Sequence, residues 1–210
     1  MTEIENRNRT KLKLQTEKYQ QLELLFEIYN LKNVREKLRK KLESIEKMIK
    51  RDCERNLTNR IEAMKVISTE NNDRFKEVMS KLKSSYNIFK LVEELDKNNQ
   101  YLANLNKERK RGRVDMEQYE ITKGYYLQKV IDIYESVNQL KDLTITYYHE
   151  LKDELIMFED QRIKLTTEKL RKMITKKEFN QKSNEIESLK HQLEEKLAFF
   201  EIEIIDLELE

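Results

Sequence analysis

Apolar side chains recur along much of the chain at alternating intervals of four and three residues. An early series with this spacing is Leu24, Ile28, Leu31, Leu38, Leu42, Ile45 and Ile49, and a later one is Tyr126, Val130, Ile133, Val137, Leu140, Tyr147 and Leu151. Such spacing forms one apolar stripe along an α-helix, which suits packing against another helix. The pattern predicts an all-α protein whose three to four long helices form elongated hairpins or a coiled coil.

Interruptions of the apolar pattern predict where the helices end. The early series loses its register near Cys53, and residues 68–73 are of types that favour caps and turns. We therefore expect a chain reversal there, before a second seam that begins at Phe75. The resulting prediction is a long N-terminal coiled-coil helix at 1–70, a second helix at 71–111, a third at 112–173 and a C-terminal helix at 174–210.

The third helix is predicted to follow a tight turn at Gly112. Glycine readily adopts the left-handed conformation that closes many helices. Asp115 and Gln118 follow with the spacing of a helix-capping box, and Thr175 and Glu178 repeat that spacing sixty residues later. Two helix reversals of similar design are expected, and the second, which lacks a glycine, is either a reversal or a kink.

Composition narrows the range of folds. The chain has no proline and only two glycines, and charged residues make up 39% of it. Long helices tolerate the absence of proline best, and so much charge favours narrow apolar seams over a wide core. The 42 Lys and Arg residues nearly balance the 40 Asp and Glu residues, so the chain lacks the strongly basic character of a dedicated nucleic-acid binder.

Charge is nevertheless unevenly distributed along the chain. Residues 32–60 contain eleven bases and five acids, whereas residues 194–210 contain seven acids and one lysine. The early excess is consistent with binding a polyanion such as nucleic acid, and equally with a solvated helix face. A further cluster, the basic turn, either contacts phosphates or anionic lipid or simply complements a helix dipole. It consists of Lys107, Arg109, Lys110, Arg111 and Arg113.

The sequence predicts neither an enzyme nor a metal protein. Cys53 is the single cysteine, and His149 and His191 lack partners at metal-binding spacing. No phosphate-binding glycine loop or nucleophile motif is present, so we expect no catalytic residue, metal ligand or cofactor. Without an apolar run of roughly 18 residues, the chain is predicted to be soluble and cytoplasmic. Peripheral membrane contact would come from the basic turn.

Residues 110–119 combine a basic, glycine-containing helix end with the Asp115 cap and an aromatic residue, Tyr119, and residues 174–179 repeat the cap and end in Phe179. In this respect the sequence resembles the coiled-coil region of the archaeal CdvA cell-division proteins. The similarity covers roughly the second half of the chain, and residues 1–60 carry a helical seam where that family has a β-barrel module. The resemblance implies a self-associating scaffold that recruits an ESCRT-III-like partner through its C-terminal peptide.

The C-terminal tail alternates apolar and acidic residues, as a strand added to the edge of a partner's sheet requires. The resemblance implies that this tail binds the partner through Phe200, Ile202, Ile204, Leu207 and Leu209. The tail also fits a helix, because four- and three-residue steps connect Leu193, Leu197, Phe200, Ile204 and Leu207. Both interpretations bury Phe200 and Ile204.

Together these features predict a non-enzymatic scaffold or adaptor in cell division or membrane remodelling. We expect it to form homo-oligomers and to bind an ESCRT-III-like protein. Two alternatives remain open at this point. One is a nucleic-acid- or chromosome-associated coiled coil, and the other is a subunit of a larger helical complex whose seams are completed by another chain.

Overall fold

A computed structural model of the protein describes residues 3–49 and 55–209. Within these residues the chain forms five α-helices and no strand, which confirms the predicted all-α class. The helices are α1 (Glu3–Ile49), α2 (Arg55–Lys81), α3 (Ile88–Lys110), α4 (Met116–Leu170) and α5 (Lys176–Phe200). A 3-10 turn lies at Ser84–Tyr86, and a π-helical turn at Glu201–Ile205 follows α5. The chain divides into two compact units, one ending at Asn87 and the other beginning at Ile88.

The first unit is an antiparallel pair formed by α1 and α2. Gln21, early in α1, accepts a hydrogen bond from the backbone N–H of Lys83 at 2.8 Å, whereas Arg35, later in α1, donates to Asn72 in α2. The Arg35 guanidinium also lies 4.8 Å from the centre of the Phe75 ring. Arg35 occupies the place between Leu31 and Leu38 at which the early heptad series has no apolar residue, and its side chain spans the two helices instead. Among the side chains that the structure describes in this unit, the buried apolar ones are Leu22, Leu25, Ile28 and Val78.

The chain reversal predicted at residues 68–73 is wrong, because these residues lie inside α2. Their polar side chains form interactions within the helix. The Thr69 hydroxyl donates a hydrogen bond to the carbonyl of Lys65 at 3.0 Å, and Asp73 forms a salt bridge with Lys76 at 3.5 Å. The stabilisation from continuous packing of α2 against α1 outweighs the local preference of such residues for turns. The helix instead ends at Lys81, and the predicted break near Cys53 lies outside the described residues.

The helix boundaries of the first half differ accordingly from those predicted. The segment 1–70 contains α1 and most of α2, and the segment 71–111 contains the end of α2, the 3-10 turn and α3. In the early heptad series Ile28 is buried, whereas the other members with described side chains are half-buried; these are Leu24, Leu31, Leu38, Leu42 and Ile45. The spacing identified the helix but not the centre of its buried stripe, which includes Leu22 and Leu25.

The second unit is organised around α4, which has 55 residues and is therefore about 80 Å long at about 1.5 Å per residue. The first part of α4 packs antiparallel to α3, as the 5.3 Å separation between the Tyr101 and Tyr126 rings shows. The second part packs antiparallel to α5, where Lys190 pairs with Glu159 at 3.1 Å. One helix thus serves as a partner for two others.

The two hairpins of this unit are copies of one design, displaced by sixty residues. Buried residues in α4 correspond at that interval to buried residues at the end of the chain: Ile133 and Leu193, Val137 and Leu197, Leu140 and Phe200, Thr144 and Ile204. On the other side of each turn, Leu91 in α3 corresponds to Leu151 in α4, and both are buried. A fixed period with a conserved burial pattern is the mark of a structural repeat. Here α4 is both the second helix of one repeat and the first of the next.

The second turn is a full reversal rather than a kink. Gly112 has φ 70° in the first turn and Lys172 has φ 58° at the matching place in the second. In each turn the next backbone N–H returns to a carbonyl five residues earlier, from Arg113 to Glu108 at 3.1 Å and from Met173 to Glu168 at 2.9 Å. This is the hydrogen bond of a left-handed helix end, so a lysine adopts the conformation usually left to glycine.

Asp115 caps the first helix start with its side chain, whereas Thr175 and Glu178 form a complete capping box at the second. The Asp115 carboxylate accepts a hydrogen bond from the backbone N–H of Gln118 at 2.8 Å. At the second start the Thr175 hydroxyl accepts from the backbone N–H of Glu178, and the Glu178 carboxylate accepts from the backbone N–H of Thr175, at 3.2 and 2.9 Å. This backbone hydrogen bond, with that from the Thr175 hydroxyl, lowers the pKa of Glu178.

Candidate interaction surfaces

The basic turn closes the first hairpin. Lys107, Arg109 and Lys110 lie in the last turn of α3, where their charges face the negative end of the helix dipole. Arg111 and Arg113 flank the left-handed glycine. The structure therefore brings together all five predicted cations at one end of the hairpin, and Arg109 donates to the Met116 sulfur at 3.4 Å.

Two of these cations are partly neutralised by one carboxylate. Glu108 pairs with Arg111 at 2.8 Å and with Arg113 at 3.0 Å. The Arg113 and Arg111 guanidiniums together hold the pKa of Glu108 below its ordinary value. Among the described residues, Lys107 and Lys110 have no such partner. This geometry is consistent with both interpretations of the basic turn, namely a contact site for anions and a solvated helix end.

The second turn has an exposed apolar pair that the first turn lacks. Leu170 is 78% exposed and Met173 is 69% exposed, the two highest values among the large apolar side chains described. At the matching places of the first turn stand Lys110 and Arg113. We call residues 169–177 the apolar tip. No prediction from the sequence included this pair, although two apolar residues outside the heptad seam and within a cationic run are a detectable signal.

The C-terminal tail is helical where it packs. Phe200 ends α5 and Ile204 lies in the π-helical turn, and neither side chain has measurable exposure. The Phe200 ring meets the Tyr147 ring of α4 edge-on, with 5.7 Å between ring centres. Lys141 of α4 donates to the carbonyl of Leu207, which ties the tail to the middle of α4. Two of the five predicted contact residues therefore belong to the core of the second unit.

The other three predicted contact residues are more accessible. Ile202 is 66% exposed, and Leu207 and Leu209 are half-buried in the irregular segment that follows the π-helical turn. A strand formed by the whole tail would have to remove Phe200 and Ile204 from α4. The strand interpretation rests on the alternation and on the resemblance, whereas the helical spacing of Leu193, Leu197, Phe200 and Ile204 matches the observed packing.

A second apolar stripe runs along α4 on the side away from its seam. Five isoleucines form this outer stripe, with exposures between 38% and 68%: Ile121, Ile131, Ile145, Ile156 and Ile163. After whole heptads are subtracted, their spacings of ten, fourteen, eleven and seven residues leave three, zero, four and zero, so all five fit the two apolar positions of one heptad frame. One face of α4 packs inside the unit, and the opposite face presents aliphatic side chains to solvent.

Among the described residues, no cluster of three or more His, Cys, Asp or Glu side chains has a metal-binding arrangement. No described helix is long and apolar enough to cross a bilayer.

The chain matches no protein-family model, and no curated protein sequence and no solved structure matches it. The surfaces themselves are therefore the basis for a functional proposal.

Proposed function

We propose that the protein is a non-enzymatic helical scaffold or adaptor that self-associates through the outer stripe of α4. The proposal includes the elongated, coiled-coil-like arrangement expected from the heptads, with α4 as the long element between two turns. The observation that carries it is the row of five exposed isoleucines opposite the packed seam of α4. Exposed isoleucines that recur along one face of a helix offer repeated points of contact to a second helix.

The size of the outer stripe suggests a weak, concentration-dependent association. Burying an aliphatic side chain fully stabilises by about 1.5–3 kcal/mol, so an isoleucine that is already half-covered contributes roughly 1 kcal/mol. Five such residues on each of two copies give roughly 10 kcal/mol, against an association cost of about 4–15 kcal/mol. Self-association would therefore respond to local concentration, as is useful for a scaffold that assembles on demand.

Light scattering coupled to size-exclusion chromatography tests the proposal on the full chain. The average mass should rise above 25.7 kDa as protein concentration increases. Ile156→Glu combined with Ile163→Glu should hold the mass at that of one chain, since these side chains are 57% and 65% exposed and lie outside the buried seam of α4. Gln139→Glu combined with Gln161→Glu is the matched control, because it adds the same charge at exposed positions of α4 outside the stripe. A wild-type mass that stays at one chain across concentrations would remove the proposal.

We further propose that the adaptor role involves an ESCRT-III-like partner, as the resemblance to CdvA proteins implies. The exposed Ile202 and the half-buried Leu207 and Leu209 support contact through the outer side of the tail, without unpacking Phe200. Ile202→Glu combined with Leu209→Glu should reduce capture of an ESCRT-III-like protein while leaving the helix content by circular dichroism unchanged. Undiminished capture would exclude the tail as the contact.

A further inference from the structure

The geometry points to the apolar tip as a docking site for an anionic lipid bilayer, with Leu170 and Met173 entering the membrane interface. These two side chains stand on either side of the left-handed Lys172, at the end of the second hairpin. They are the most exposed large apolar side chains described in the protein. This inference concerns attachment to a surface and does not depend on the self-association proposed above.

The apolar pair is surrounded by cations. Residues 169–177 contain five cations and no acidic residue, namely Lys169, Arg171, Lys172, Lys176 and Lys177. All five are exposed. The Lys169 Nζ atom lies 3.8 Å from the centre of the Phe179 ring. None of the five cations forms a salt bridge with another described residue. The nearby Glu178 carboxylate is held by the backbone and hydroxyl of Thr175. With the flanking Glu168 and Glu178 counted, residues 168–178 carry five cations and two acids, a net charge of +3, so the tip is strongly positive.

The first turn shows that the fold itself does not require the apolar pair. Both turns have the same left-handed residue and the same returning hydrogen bond. Where the apolar tip has Leu170 and Met173, the basic turn has Lys110 and Arg113, and Arg113 pairs with Glu108 at 3.0 Å. A polar turn of the same shape is thus available to this chain, so the apolar residues of the second turn have no role in closing the hairpin.

The combination of charge and exposed apolar groups selects a bilayer over nucleic acid. A phosphate backbone attracts the cations, but it offers no medium into which leucine and methionine can be transferred. An anionic membrane surface attracts each lysine or arginine and also accepts aliphatic side chains below its headgroups. The first turn exposes one large apolar side chain, Met116 at 55%, whose sulfur accepts a hydrogen bond from Arg109. The second turn exposes two, Leu170 and Met173, beside its cations, which makes it the point of membrane contact.

Fluorescence of a single introduced tryptophan tests insertion directly, because the native chain contains none. In full-length Leu170→Trp, emission should shift to shorter wavelength when vesicles of phosphatidylcholine with about 30% phosphatidylserine are added, and brominated lipid should quench it. Val66→Trp, at an exposed position of α2 outside both turns, is the control and should show neither effect. Absence of both effects in Leu170→Trp would overturn the inference.

Vesicle flotation measures the contribution of the pair to affinity. Leu170→Ser combined with Met173→Ser should weaken binding to the same anionic vesicles by roughly tenfold to a hundredfold, the effect expected from losing two buried aliphatic groups. Val66→Ser combined with Ile67→Ser removes two exposed aliphatic side chains from α2 and should change binding less than threefold. Equal loss in both double variants would refute the tip as the site. Stronger binding of wild type to a DNA duplex than to vesicles, unchanged in Leu170→Ser and Met173→Ser, would assign the cations to nucleic acid instead.

Discussion

Exchanging the residue types at the two left-handed positions should change stability in opposite directions. In Gly112→Ala, a left-handed backbone costs a non-glycine residue roughly 1–2 kcal/mol. Alanine recovers about 0.4–1 kcal/mol because it restricts the unfolded chain. No atom lies within 4 Å of the added Cβ, so steric overlap adds nothing. The net expectation is a loss of roughly 0.5–1 kcal/mol. In Lys172→Gly both contributions change sign, so the second turn should gain roughly 0.5–1 kcal/mol of stability.

Hydrogen exchange measured by NMR resolves each turn separately. The amide protons of Arg113 and Met173 report directly, because each forms the hydrogen bond that closes its turn. Gly112→Ala should speed exchange at Arg113 by about two- to fivefold, and Lys172→Gly should slow exchange at Met173 by a similar factor. Each variant leaves the other turn as an internal control. Changes of the same sign in both variants would refute the argument that backbone conformation decides the effect.

Three further changes probe packing and charge. Phe200→Ala should cost about 3–5 kcal/mol in urea denaturation, whereas Ile202→Ala should stay within about 0.5 kcal/mol, because the first is buried and the second exposed. Asn71→Leu should raise the stability of the first unit by about 1 kcal/mol, since the buried Asn71 Oδ1 has no hydrogen-bond partner among the described residues. The pKa of Glu178 is lowered in the fold, so its carboxylate stabilises above the ordinary value of 4.5 and this contribution is lost as pH falls through the lower folded pKa. The stability advantage of wild type over Glu178→Gln should therefore disappear on acidification.

Local sequence signals predicted the second half of the fold well. Capping residues and a left-handed glycine act over a few residues, so the turn at Gly112 and the start of α4 could be recognised without knowing the partner helix. The second reversal was less certain because Lys172 occupies a conformation that sequence rules assign to glycine or asparagine. The sixty-residue repetition of the seam was visible only at the turns, because its members vary between isoleucine, leucine, valine, phenylalanine and threonine.

The first half was predicted less well because its turn signals competed with packing. Residues 68–73 favour a turn locally, yet long-range contacts such as that of Arg35 with Asn72 hold them in α2. The same difference between local and long-range signals applies to the candidate surfaces. The basic turn is a local cluster and was found from the sequence, whereas the outer stripe became evident only once α3 and α5 had been placed against the opposite face of α4.

The sharing of α4 by two equivalent hairpins makes the architecture modular in length. Because four buried positions of α4 and one of α3 have buried counterparts sixty residues later, deletion of residues 111–170 would join α3 to the second turn and leave one hairpin in which these positions keep their register. Insertion of one further period would add a third hairpin in the same way. Genes for such chains can lengthen or shorten by whole periods without disturbing the contacts that remain, so homologues of unequal size would be expected to differ by multiples of this unit.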